Sequence, residues 1–318
     1  MNESLSKEAI IPVACYGERV DAALAKLFTE FSRSQLTLWL KAGKITINGR
    51  LYKPKEKIYG GEKVLLQLND VVNHYEEDAA EAIPLEIVFE DDDILIINKP
   101  AGLVVHPGAG NPLHTLVNAL LHHDPILQQL PRAGIIHRLD KDTTGLLMVA
   151  KNLPAHTSLI RQMQAREIQR RYLTLVYGHV ISGGVLETFY GRHPRNRLKM
   201  AVCNQGKEAI TEYTVKKHYH QFTLLEVSLL TGRTHQIRVH MAYMNHPVVG
   251  DQLYGGRVRF PADATDEMRQ LLQTFKRQAL HAYSLSLLHP KTQEYMNFEA
   301  PLPEDFQKLL QTLEHYYG

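Results

Sequence analysis

The densest group of chemically capable side chains is His137-Arg138-Leu139-Asp140-Lys141-Asp142-Thr143-Thr144-Gly145, set between the apolar pair Ile135-Ile136 and the apolar run Leu146 to Ala150. A polar loop held by rigid strands is a favoured place for function. The same residues also read as a turn in which Asp142, Thr143 and Gly145 satisfy the backbone. A second group is Thr231-Gly232-Arg233-Thr234-His235-Gln236-Ile237-Arg238-Val239-His240. Here Thr234 can cap a helix whose first turns carry Arg238 and His240, and an Arg beside a buried Asp would keep that carboxylate charged and aimed. A surface helix with solvated arginines fits the pattern equally. Zinc fits it less well, because His235 and His240 are five residues apart, off a common helical face, and no Glu follows His235. Third, a basic segment from Arg166 runs into Tyr172, whose ring can stack on a nucleobase or simply pack in a core. Fourth, Arg192, His193, Arg195, Arg197 and Lys199 make either a phosphate-contacting loop or a solvated hairpin tip.

These groups need elements to hold them. Val20, Leu24 and Leu27 have helical spacing, so a helix is expected over Arg19 to Phe28, then a second from an Ser32 cap to a stop at Gly43. Lys44 to Arg50 reads as a strand entering an Asn48-Gly49 turn, and Lys63 to Leu68 as another strand. Residues 14–70 thus form a small unit, residues 71–82 an acidic linker with little to bury, and residues 83–318 a large domain. In the large domain, strands are expected at Ile83 to Glu90 and Ile94 to Asn98 around the Asp91-Asp92-Asp93 turn, and at Leu146 to Lys151, Tyr172 to Gly178, Leu280 to Leu288 and Glu294 to Glu299. A hairpin joins Ala209 to Lys217 with Phe222 to Leu229. Helices are expected at Leu116 to His122, Pro154 to Glu167, Thr234 to Met244 and Glu304 to Tyr316. Adjacent strands joined by short turns predict an α+β domain with a largely antiparallel sheet.

With 318 residues and 44% hydrophobic content, the chain can bury a sizeable core. No apolar run reaches the length of a membrane span, and Met1 to Ile10 is polar, without an apolar signal core. Cys15 and Cys203 imply neither a disulfide framework nor a zinc cluster, so a cytoplasmic protein is expected. The net charge of +2 conceals a segregation. Seven Lys or Arg fall between Ser32 and Lys57 against Glu56 alone, while Asp70 to Asp93 holds ten acidic residues and no Lys or Arg. Basic patches return at Arg161 to Arg171 and Arg192 to Lys199, a pattern suited to a polyanion or to solvated basic faces.

Taken together the motifs are recognisable. HRLDKDTTG at His137 to Gly145 resembles the catalytic motif of the RluA-type pseudouridine synthases, with its indispensable Asp. Asn98-Lys99-Pro100-Ala101-Gly102-Leu103-Val104-Val105-His106-Pro107 resembles the family's first motif, Arg170-Arg171-Tyr172 its Tyr motif and Gly232 to His240 its Arg motif, all in the expected order. The basic unit Arg19 to Val64 is similar to an S4-type RNA-binding domain. His106 to Asn111, Arg192-His193-Pro194, Gly250 to Gly256 and Gln278 to Ala282 point to the RluD subgroup. Two departures, Thr144 for Ser and Arg170 for Lys, keep the hydroxyl and the charge.

The resemblance implies a pseudouridine synthase fold, a mixed and largely antiparallel sheet with flanking helices, preceded by a small α/β S4-like domain. It implies isomerisation of uridine to pseudouridine in 23S large-subunit rRNA, in the helix 69 stem-loop, on free rRNA or the large ribosomal subunit. Asp140 is the expected catalytic carboxylate, Arg238 its salt-bridge partner, and Tyr172 the residue that stacks on uracil and helps remove the C5 proton. Arg138 is expected to fill the stack vacated by a flipped nucleotide. His137, Thr143, Arg233 and His235 are expected at the substrate, with Arg33, Lys44, Arg192, Arg195 and Arg197 on RNA phosphates. No cofactor, metal or membrane is implied, and a monomer is expected. The competing readings are a non-catalytic RNA-binding assembly factor with a synthase fold, and a hydrolase pairing His137 or His235 with Asp140.

Overall fold

The computed structural model describes residues 5–29, 31, 33–68, 80–108, 111–196 and 198–318. The predicted Ser32 cap, Arg197, Ala109-Gly110 and most of the predicted linker lie outside the described residues. The chain divides into two units, residues 1–76 and residues 77–318.

The first unit contains β1 (Leu5–Ile10), α1 (Val20–Leu27), α2 (Arg33–Lys41), β2 (Ile45–Ile47) and β3 (Lys63–Leu68), its sheet ordered β1-β3-β2 and antiparallel throughout. Val20, Ala23 and Leu24 of α1 and Leu36, Trp39 and Leu40 of α2 bury their apolar sides against Ile45, Ile47, Val64 and Leu66. The turn after β2 has φ of 48° at Asn48 and 72° at Gly49, the left-handed pair that an Asn-Gly hairpin turn requires. β1 lies before residue 14, where the sequence placed the start of this unit. Its mixed Leu5-Ser6-Lys7-Glu8-Ala9-Ile10 pattern carries no strand period, and its pairing depends on the distant β3.

The second unit contains β4 (Ile87–Glu90), β5 (Ile94–Lys99), α3 (Leu116–His123), β6 (Thr144–Ala150), α4 (Leu153–Ala165), β7 (Gln169–Tyr177), β8 (Gly184–Arg192), β9 (Met200–Cys203), β10 (Lys207–Tyr219), β11 (Phe222–Leu229), α5 (Gln236–Tyr243), α6 (Asp266–Thr274), β12 (Leu280–Leu288), β13 (Tyr295–Glu299) and α7 (Glu304–Tyr317). One ten-stranded sheet runs β4-β5-β6-β12-β7-β11-β10-β8-β9, with β13 added on β12. Every pairing is antiparallel except β6 with β12. β6 is buried along its whole length, Leu147 and Val149 in one core and Leu146, Met148 and Ala150 in another. That is why it reads as a continuous apolar run instead of an alternation. The Asp91 turn between β4 and β5 is closed by its own carboxylate, which accepts from the N–H groups of Asp93 and Ile94. β8, β9 and α6 were not read from the sequence. For α6 a signal existed: Thr265 caps it by accepting from Met268 N–H, and Met268 and Leu272 lie one helical turn apart in the core.

The parallel contact of β6 with β12 sets the loop before β6. Gly145 has φ of 110°, and a Cβ there would stand 2.2 Å from Ala282 O of β12. Thr144 Oγ1 and His281 Nδ1 share a hydrogen bond of 2.8 Å across the same pair of strands. Gly145→Ala is expected to lower unfolding free energy by about 3 kcal/mol or more, through forced φ and backbone collision. Chemical denaturation measures it; a loss near zero would show that the two strands part without cost.

Candidate active site

Asp140 lies in the loop entering β6, and its neighbours fix that loop from three sides. Thr143 N–H donates to Asp140 O at 3.1 Å. Gln278, just before β12, donates to Thr143 Oγ1 at 3.0 Å. Lys99, at the end of β5, is fully buried and donates to Pro100 O at 2.6 Å, Lys141 O at 2.9 Å and Leu103 O at 3.0 Å. Three ammonium protons meet three carbonyls, which ties the turn after β5 to the Asp140 loop. Burial pushes the Lys99 ammonium down to about 7, against the pull of Asp142 and Asp140. Arg277 places Nη1 3.4 Å from Asp142 O while its Nε and Nη2 each donate at 2.6 Å to Asp305 of α7.

Arg238 joins this loop to a second acid. Its Nη1 donates to Asp140 Oδ2 at 2.9 Å, while Nε and Nη2 donate to Asp251 Oδ2 and Oδ1 at 2.6 and 2.9 Å. Burial opposes the charge on Arg238, yet Asp251 and then Asp140 raise its pKa above the ordinary value. Burial likewise opposes the charge on Asp251, and the Arg238 guanidinium, helped by Leu253 and Tyr254 N–H, holds it below the usual carboxylate range. The Tyr254 ring lies 5.2 Å from the guanidinium carbon, a cation–π contact.

The helix carrying Arg238 starts at Gln236, later than predicted, and Thr234 does not cap it. His235 occupies the N-cap position with φ of 59°. The turn ahead of it is closed by Gln236, whose Oε1 accepts from Arg233 N–H at 2.9 Å and from the Thr231 hydroxyl at 2.8 Å. His240 faces the core, its nitrogens bonded to Thr211 and Thr188 at 2.8 and 3.0 Å, so it shares no metal site with His235.

Two cavities meet at Arg138 and Asp140. One of about 590 Å³ is lined by Tyr172, His106, His137, Arg170 and Arg233; the other, about 410 Å³, by Val105, Pro107, Lys141, His235 and Arg238. Both fall in the size range of small-molecule sites. Burial raises the Tyr172 phenol, which keeps it a neutral ring. Three buried nitrogens of residues lining the larger cavity have no partner: His106 Nε2, His137 Nδ1 and Arg170 Nε. Burial, then nearby arginines, push His106 down to about 4 and His137 down to about 3. Met148 N–H donates to His137 Nε2 at 3.3 Å, so the proton of the neutral ring sits on Nδ1.

The structure therefore gathers Asp140, Arg238, Tyr172, Arg138, His137, Arg233 and His235 around one pair of cavities, while Thr143 lines only a narrower cleft beside Asp140 and Tyr172. Thr143 is buried with its hydroxyl accepting from Gln278. Arg192 and Arg195 are exposed, at the turn of the β8–β9 hairpin. Arg33 and Lys44 belong to the first unit, where Arg33 donates to Asp21 at 2.8 Å. Lys99, Asp251, Tyr254, Arg277 and Gln278 had no role assigned from sequence. Lys99, Asp251, Tyr254 and Gln278 were visible only as members of resembling stretches, because nothing in their spacing shows that they converge. Among the described residues one group of metal-capable side chains is present, Asp91, Asp93 and His289 at the β4–β5 turn, away from the cavity linings. No described helix is long and apolar enough to cross a membrane.

Two outcomes follow from these contacts. Asp251→Ala strands a buried cation beside Asp140 and is expected to cost about 3–5 kcal/mol in denaturant unfolding. The neutral histidines set an acid limit. His106 and His137 have folded values of about 4 and 3 against a reference of 6.5, so below 6.5 the unfolded chain binds protons that the folded chain refuses. The thermal midpoint is expected to fall as pH drops from 6.5 towards 4, and the fall to be shallower in His137→Phe.

Comparison with known proteins places the chain in a family. A family model described as RNA pseudouridylate synthase matches residues 93–243. Ribosomal large subunit pseudouridine synthase D of Xylella fastidiosa is 51% identical over 309 residues, 97% of this chain and 92% of that protein. Its counterpart in Xanthomonas campestris is 50% identical over 311 residues, 98% of this chain and 93% of that protein. Among solved structures, human RNA pseudouridylate synthase domain containing 1 matches with a TM-score of 0.53 at 27% identity, covering 74% of this chain and 96% of that one. Half of all positions shared along nearly the full length, with the expected acid, arginine and tyrosine converging in space, make this chain a member of the RNA pseudouridylate synthase family.

Proposed function

We propose that this protein isomerises uridine to pseudouridine in 23S rRNA of the large ribosomal subunit, with the helix 69 stem-loop as its target and Asp140 as the catalytic carboxylate. The observation that carries this reading is the Asp140 carboxylate on Arg238 at 2.9 Å, at the wall of a cavity that Tyr172 also lines. The printed names of the relatives support the rRNA substrate, and the RluD-like stretches support the stem-loop.

The reaction breaks uridine N1–C1′, turns the base, joins C5 to C1′ and moves the C5 proton off carbon while N1 gains one. It involves no net oxidation or hydrolysis, so the reading calls for neither cofactor nor metal. A paired or stacked uridine must first leave the helix. Arg138, exposed at the loop, has the planar cationic side chain suited to the vacated place. Tyr172 meets the base as a neutral ring, which favours stacking over proton removal as its role. Asp140 acts either as nucleophile at C1′ or as base at C2′, with Arg238 fixing its direction.

Arg33 and Lys44 of the S4-like first unit, and Arg192, Arg195 and Arg197 of the hairpin, hold phosphates and position the RNA without reading its sequence. Thr143, Arg233 and His235 complete the substrate side. The reading takes the protein to act as a monomer in the cytoplasm.

The test is tritium release from 23S rRNA, free or in large subunits, carrying tritium at uracil C5. Release is expected from the wild type and abolished in Asp140→Ala, with RNA affinity kept within about threefold, since Asp140 contributes to chemistry more than to binding. Binding without release on either substrate would instead support an assembly factor.

A further inference from the structure

A chain of contacts runs from the β8–β9 hairpin to Asp140 by a route separate from Arg238. Met200, the first residue of β9, donates its N–H to Tyr254 Oη at 2.9 Å. Tyr254 Oη in turn shares a hydrogen bond of 2.9 Å with His235 Nδ1. His235 Nε2 then stands 3.9 Å from Asp140 Oδ1, the carboxylate oxygen that Arg238 does not hold. Lys199, at the end of the hairpin turn, lies 5.7 Å from the centre of the Tyr254 ring. His235 lines the cavity with Lys141 and the narrower cleft with Tyr172, and it keeps a left-handed backbone that a non-glycine residue adopts at a cost.

We propose that His235, oriented by Tyr254, is a positioning residue that donates from Nε2–H to Asp140 Oδ1 when RNA closes the site, and that the β8–β9 hairpin sets it through Met200. This rests on the synthase reading above and deepens it. Tyr254 has one proton, and with Met200 N–H donated to its oxygen the proposal directs that proton to His235 Nδ1, which leaves the imidazole proton on Nε2, facing Asp140. At 3.9 Å the contact is too long for a hydrogen bond in the free protein, and such contacts tighten when substrate is in place. Arg238 alone holds one carboxylate oxygen and leaves the plane free to turn. A second donor on the other oxygen fixes the plane against the ribose. The charged groups around His235 are Asp140, Arg238, Asp251 and Arg138; burial comes first among the influences and lowers its pKa, so it enters the reaction as a neutral donor.

The experiment measures kcat and KM for tritium release by wild type, His235→Gln, His235→Asn, His235→Leu, Tyr254→Phe and the double variant Tyr254→Phe, His235→Leu. One hydrogen bond to a charged group corresponds to roughly tenfold to a hundredfold in rate. His235→Leu and Tyr254→Phe are expected to lower kcat by that order with KM within about twofold, and the double variant to be no worse than the single ones. Gln carries an amide donor at the position of Nε2 and is expected to restore most of kcat. Asn relieves the left-handed backbone but falls short, and is expected to stay impaired. Full kcat in Tyr254→Phe, or Asn outperforming Gln, would overturn the proposal, the second outcome pointing to backbone relief as the role of this position. Tyr254→Phe removes a single oxygen, so its folding is secure enough to keep the test decisive. Absence of release by the wild type would sink the synthase reading instead, and Asp140→Ala separates the two.

Discussion

Arg238 is one cation shared by two buried or nearly buried carboxylates, Asp140 and Asp251, and the rest of the second unit is arranged to make that sharing stable. Removing three charges from water is costly, and their mutual attraction offsets the cost only when every remaining polar atom is also met. Asp251 satisfies this condition: its oxygens take two N–H groups from Arg238 and two from the backbone. It takes two of the five guanidinium N–H donors, on Nε and Nη2, and Nη1 supplies the one that reaches Asp140. That division of labour separates anchoring from aiming, because Asp251 fixes the arginine and the arginine fixes the Asp140 carboxylate.

The Asp140 loop could not exploit this if it moved. It is held from the β5 side by a buried ammonium, from the β12 side by Gln278, and from α7 through Arg277 and Asp305. The single parallel pairing in the sheet, β6 with β12, brings these supports to the point where the loop enters the sheet. Rigid placement of this kind is what positions a reacting group to within a fraction of an ångström.

Asp140, Tyr172 and Arg238 were legible as candidates because family motifs sit in the chain as contiguous words, and the strands around them carry plain apolar runs. Their supporting residues were legible as letters without meaning. Lys99 matters because its tip reaches Lys141 O, forty-two positions away, and no spacing rule encodes that. The helix start was misread at Thr234 because a side-chain cap is the usual device, whereas here Gln236 folds its own amide back over the turn. β1 and β8 were missed for another reason: edge or half-exposed strands with mixed polar patterns owe their form to partners distant in sequence. Tyr172 was expected both to stack on uracil and to help remove a proton, and the burial that keeps its phenol neutral weighs against the second role.

The contacts that define the site are long in another sense. Asp140 and Arg238 meet although they are 98 positions apart in the chain, and Thr144 and His281 although they are 137 apart. Contacts of such separation form late, after the chain between them has been organised. A nascent chain emerging in order would present its HRLDKDTTG loop well before Arg238, Asp251 or β12 exists to receive it. The loop is then only a polar turn with no aimed carboxylate. Competence thus arrives with the last strands and not with the motif, so a polypeptide still being made carries the motif without an assembled site.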